Sequence, residues 1–113
     1  MKIYHNPRCS KSRQTLGLIQ AAGIEPEIIE YLKTAISVEE LDQLLGLLEM
    51  QPEELLRKKE ALYKELNLNT GTHSRAELIQ IMVDHPQLME RPVVVKGNRA
   101  VIGRPPENVN VLL

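Results

Sequence analysis

The sequence predicts an α/β fold built on a mixed sheet, with elements in the order β-α-β, a helical segment, then β-β-α. Three observations carry this. Two strand-like runs flank a segment of helical periodicity within about the first 32 residues, helical spacing dominates residues 37 to 86, and β-branched runs return around a glycine turn after Pro92.

Lys2 to His5 alternates and is rich in strand formers, and Asn6-Pro7 ends it. From Ser10 the apolar residues Leu16, Ile19 and Ala22 recur at helical spacing as far as Gly23. Glu27 to Leu32, entered through Pro26, reads as a second strand. The right-handed crossover rule makes it parallel to the first.

In the middle of the chain, Ser37 and Glu40 have the spacing of a capping box ahead of Leu41, Leu44, Leu45 and Leu48. Pro52 stands where a first helical turn tolerates it, before Glu53, Glu54, Leu55 and Leu56. Ser74 and Glu77 repeat the Ser-x-x-Glu signal before Leu78, Ile79, Met82 and Val83, and His85-Pro86 closes that run. Pro92 to Val95 and Arg99 to Gly103 then flank a Lys96-Gly97-Asn98 turn and read as a hairpin, with a short helix expected after Pro105-Pro106.

A chain of 113 residues suits one domain, since halving it would leave neither part enough buried surface. With 42% hydrophobic residues but no Trp or Phe, its core must come from Leu, Ile, Val and Met, and stacking on nucleic-acid bases is not expected. Lys and Arg number 14 against 15 Asp and Glu, so the net charge of -1 offers no general attraction to nucleic acid or an anionic membrane. No apolar run suits a signal peptide or a membrane span, and a cytoplasmic protein is expected. Monomer is the default reading.

The only cysteine is Cys9, so no internal disulfide can form, and with His5, His73 and His85 scattered along the chain no metal centre is expected. An unpaired cysteine most often packs as a small hydrophobe. The position of Cys9 argues otherwise. It falls between the first strand and the first helix, where unpaired backbone N–H groups and the positive end of the helix dipole meet, and Arg8, Lys11 and Arg13 surround it. Such settings lower cysteine pKa values from about 8.5 to roughly 3.5–7.5. The same N–H groups suit a tetrahedral oxyanion, so nucleophile and anion site would coincide. His5 reads equally as a strand-end residue or as a group that polarises the thiol.

The run His5-Asn6-Pro7-Arg8-Cys9-Ser10-Lys11-Ser12-Arg13 resembles the active-site loop of the glutaredoxin-dependent bacterial arsenate reductases. Leu55-Leu56-Arg57-Lys58, Glu90-Arg91-Pro92-Val93-Val94 and Ile102-Gly103-Arg104-Pro105 resemble that family's other signature segments, in the same order. The resemblance implies a thioredoxin-like fold over residues 1–113 with a helical insertion at about 37–86. It also implies a nucleophile at Cys9 and three oxyanion-binding arginines at Arg57, Arg91 and Arg104. Taken singly, each arginine would be an ordinary surface ion-pair partner; the resemblance assigns them, and their planar forks suit bidentate contact with an oxyanion. It further implies a cis bond at Pro92, with His5, Ser12 and Arg13 tuning the thiol or holding its loop.

By the same resemblance the substrate is arsenate or a related oxyanion, the setting is arsenic detoxification, and no cofactor is bound. Glutathione is the expected co-substrate and glutaredoxin the expected partner, because a chain with one cysteine cannot resolve its own adduct. A phosphatase-like Cys-x5-Arg design is excluded, since position 15 is Thr and no second cysteine exists. Two other readings stay open. One is a thiol-based regulator of RNA polymerase, although such regulators commonly carry Cys-x-x-Cys and this chain has Ser12 at the second position. The other is a different glutathione-linked thiol enzyme of the same fold. Arg75, Arg99, His73 and Lys58-Lys59 read as solvated surface.

Overall fold

The computed structural model describes all residues from Met1 to Leu113. They form two compact units: Met1–Thr34 with Arg91–Leu113, and Ala35–Glu90.

The first unit holds the sheet. β1 (Lys2–Tyr4), α1 (Ser10–Ala21) and β2 (Glu27–Ile29) make the parallel β-α-β half, and β3 (Val93–Lys96) with β4 (Arg99–Ile102) make the hairpin. The sheet has four strands in the order β2-β1-β3-β4, with β1 parallel to β2 and every other pairing antiparallel. This is the expected α/β, thioredoxin-like mixed sheet. Gly97, at φ 61, takes the first position of the two-residue loop between the paired Lys96 and Arg99, as glycine does in a type II′ turn.

Ile3 and Val94 face each other across β1 and β3 and are fully buried. Ile19 of α1, together with Val109 and Leu112 from the C-terminal segment, packs on them. These five residues form the core of the unit, and each is strictly apolar.

Two elements differ from expectation. β2 stops at Ile29 rather than Leu32, because Lys33 and Thr34 both donate backbone N–H bonds to Glu30 O and turn the chain away. Leu32 is consequently 44% exposed. The C-terminal segment Pro106–Leu112 is a 3-10 helix rather than an α-helix. Its buried residues are Pro106, Val109 and Leu112, a spacing of three that matches the three residues per turn of that helix.

The second unit contains α2 (Val38–Leu48), α3 (Pro52–Leu55), α4 (Ala61–Glu65) and α5 (Arg75–Asp84), with 3-10 turns at Leu68–Thr70 and Pro86–Leu88. Ser37 caps α2 by accepting the Glu40 N–H, and Ser74 with Glu77 closes a reciprocal capping box on α5. Gln51 with Glu54 closes a further box on α3 that the sequence reading did not anticipate. α5 packs against α2 and α3, and Leu41, Leu45, Leu55 and Met82 are fully buried. Leu56 leaves α3 in extended conformation and bridges Met89. No helix is long and apolar enough to cross a membrane.

Burial separates two substitutions sharply. Ile19→Ala, in the sheet core, is expected to lower the unfolding free energy by about 2–5 kcal/mol in urea titration. Leu113→Ala, at an exposed position, is expected to change it by less than about 0.5 kcal/mol. Equal effects would mean that this core is misidentified.

Candidate active site

Topology brings three chain segments to one end of the first unit. Tyr4, the last residue of β1, pairs with Val93, the first of β3, and Val93 pairs with Ile102, the last of β4. The loop leaving β1, the Arg91-Pro92 step entering β3 and the Gly103-Arg104 step leaving β4 therefore share that edge. The Arg91–Pro92 and Arg104–Pro105 bonds are both cis; the second was not anticipated from sequence.

Cys9 is the N-cap residue of α1, with extended backbone at φ -94 and ψ 123. Its loop is tied at several points. The Cys9 N–H donates to Asn6 O at 3.0 Å, the Arg8 N–H to Asn6 Oδ1 at 3.0 Å, and Arg13 Nη1 to Pro7 O at 2.9 Å. Ser12 is fully buried; its Oγ accepts the Asn6 N–H at 3.1 Å and lies 2.6 Å from His5 Nδ1. With one of its lone pairs so used, the Ser12 hydroxyl can donate to His5, which suits a neutral imidazole. Burial is the largest influence on His5 and holds it below its ordinary value; Glu30 opposes that and Arg13 adds to it. Ser12, Arg13 and His5 thus hold the loop in shape.

Cys9 is 9% exposed. Burial pushes its pKa up, but the Ser12 N–H, the Arg91 guanidinium, the Lys11 N–H and the Arg104 guanidinium together pull it below the ordinary thiol value. Lys11 and Ser12 are the second and third residues of the helix, whose N–H groups have no intrahelical acceptor. Cys9 closes no side-chain capping hydrogen bond, so these groups act on the sulfur electrostatically. Arg104 Nη1 stands 3.8 Å from Cys9 Sγ. Nε and Nη1 of Arg91 are buried and make no hydrogen bond.

Arg57 belongs to the second unit. Its N–H donates to Leu88 O at 2.7 Å, Nη1 donates to Glu60 Oε1 at 2.8 Å, and Nε lies 3.9 Å from Glu90 Oε1. Pro92 is buried, and its carbonyl accepts the Gly103 N–H at 2.9 Å. Beside the cysteine loop, a cavity of about 260 Å³ is lined by His5, Asn6, Pro7 and Arg8 and, from the end of β2, by Glu30, Leu32 and Lys33.

Thr15, Gly103 and Asn108 have no site role readable from the sequence. Thr15 is fully buried and donates to Lys11 O at 2.8 Å. Asn108 Nδ2 donates to both Ile102 O and Arg104 O at 3.1 Å. A polar residue amid the apolar spacing of α1 was the one available signal for Thr15. Gly103 lies in the signature segment Ile102-Gly103-Arg104-Pro105, but nothing local marks the role of Asn108 or the Gly103 contact with Thr15, which joins distant segments. The assembled arrangement is a thiol with a lowered pKa beside the Arg104 guanidinium and beside Arg91, whose Nε and Nη1 make no hydrogen bond: a sulfur suited to nucleophilic attack next to a fork suited to an anion.

The ArsC family model matches residues 4–112. The protein YfgD of Escherichia coli K12 is 56% identical over 96% of this chain and 92% of its own length. An arsenate reductase of Haemophilus influenzae is 46% identical over 98% of this chain and 97% of its own. Among solved structures, an arsenate reductase from Vibrio cholerae superposes with a TM-score of 0.96 at 49% identity, covering 100% of this chain and 98% of that one. Matched along nearly its whole length in sequence and in structure, this chain belongs to the ArsC family.

Proposed function

We propose that this protein is a thiol oxidoreductase that reduces arsenate, or a related oxyanion, to arsenite with electrons from glutathione and glutaredoxin. The observation that carries the reading is the pairing of a thiol held below its ordinary pKa with Arg91, whose buried Nε and Nη1 make no hydrogen bond. Relatives from Haemophilus influenzae and Vibrio cholerae that bear the name arsenate reductase support the choice of oxyanion.

The Cys9 thiolate attacks arsenic(V). One arsenate oxygen takes up protons and leaves as water, giving a Cys9–S–As(V) adduct while Arg91 and Arg104 stabilise the charge on the remaining oxygens. Glutathione thiolate then attacks the Cys9 sulfur. The S–As electron pair passes to arsenic, which departs as arsenite, and a Cys9–glutathione disulfide remains. Glutaredoxin reduces that disulfide by thiol exchange and returns the Cys9 thiolate. An external thiol is required because Cys9 is the only cysteine. Arg57 is carried as a third oxyanion ligand by the family resemblance alone. Reliance on a reduced thiol suits the cytoplasm.

Cys9→Ser is expected to abolish arsenate reduction with glutathione and glutaredoxin; retained turnover would falsify the assignment. Arg91→Ala is expected to lower kcat/KM for arsenate about ten- to a hundredfold, the worth of one or two charge-assisted hydrogen bonds. An unchanged value removes Arg91 from the site. Because the thiol pKa lies below the ordinary value, activity should fall as the pH drops through a midpoint below that value and the thiolate protonates. A rate that keeps climbing up to the ordinary thiol pKa, about 8.5, would contradict this.

A further inference from the structure

Arg104 is placed by the residue before it. A Cβ built on Gly103 would lie 2.5 Å from Thr15 Oγ1, 2.8 Å from Thr15 Cγ2 and 2.9 Å from Pro92 Cγ, all well inside van der Waals contact. Gly103 φ is not in the left-handed region. Glycine is therefore required here for the closeness of approach and not for its backbone freedom. Thr15 Oγ1 also reaches Gly103 O at 3.3 Å, and the Gly103 N–H donates to Pro92 O at 2.9 Å. On the outer side Asn108 Nδ2 holds the carbonyls of Ile102 and Arg104.

Each partner in this junction is joined through its own segment to a residue of the site. Thr15 shares α1 with Cys9 at its cap, Pro92 follows Arg91, and Gly103 precedes Arg104. The contact thus sets how far the Arg104 backbone stands from the helix that carries the sulfur.

We propose that Thr15 is a positioning residue for Arg104: by seating Gly103 against α1 it fixes the guanidinium at its 3.8 Å approach to Cys9 Sγ. The inference deepens the reading of Cys9 as nucleophile and rests on it. Its test, however, reads the sulfur without any oxyanion, so the two can fail separately: turnover surviving Cys9→Ser would end the arsenate reading and leave this measurement intact.

The test is the rate of Cys9 alkylation by iodoacetamide at neutral pH, measured on the full chain with folding checked by circular dichroism. Gly103→Ala forces the segment off α1 and should slow alkylation about threefold or more, because a cation moved away from a thiol lowers its thiolate fraction. In the double variant Thr15→Ala/Gly103→Ala the new methyl takes the space that Oγ1 and Cγ2 vacate and seats the segment against α1 in their stead, so at least half of the lost rate should return. In an Arg104→Ala background, Gly103→Ala should slow alkylation no further. If Gly103→Ala fails to fold, Thr15→Ala alone decides: it should slow alkylation with Arg104 present and not with Arg104→Ala. Wild-type rates in the folded single variant, no recovery in the double variant, or a full effect in the absence of Arg104 would each overturn the proposal.

Discussion

Everything at the candidate site depends on favouring negative charge on the sulfur at the start of α1. Its near-complete burial opposes the charge, since taking an anion out of water is costly. Two backbone N–H groups and two guanidinium groups act the other way and prevail. The N–H groups come with any helix whose cap is cysteine. The guanidinium groups come only with this sheet order, in which β1 lies between β2 and β3 and its C-terminal end meets the start of β3 and, one strand over, the end of β4. Sheet topology and thiol chemistry are thus two consequences of one arrangement.

The rest of the first unit serves to keep that arrangement rigid. Ile3, Ile19 and Val94 lock α1 to the sheet, while Ser12 and Arg13 tie the loop from the other side by bonding the Asn6 amide and the Pro7 carbonyl. His5, buried beneath, completes the link through Ser12. In the second unit, Arg57 is held by Glu60 and Glu90 at a partly buried ion pair, a setting that fixes its orientation more firmly than an exposed pair would.

Much of this was legible from local sequence. Alternation and breakers located β1, β3 and β4; the Ser-x-x-Glu signals located the starts of α2 and α5; and the strand-to-helix position of Cys9 foretold the direction of its pKa shift. What escaped was non-local or subtle in period. The end of β2 depends on a turn built on Glu30, and the 3-10 helix at Pro106–Leu112 differs from an α-helix by a spacing of three against three and four, readable in Pro106, Val109 and Leu112 once that period is sought. Arg91 and Arg104 stand far from Cys9 in the chain, so spacing carried no sign of them and only the family resemblance did. The Thr15–Gly103–Pro92 junction joins three segments that no local pattern connects.

The charge preference of the sulfur is read most directly by pH titration of Cys9 through ultraviolet thiolate absorbance in the free protein. The midpoint should lie below the ordinary thiol value and move upward when Arg91 and Arg104 are replaced together. A midpoint at or above that value in the native protein, or one indifferent to both arginines, would contradict that preference.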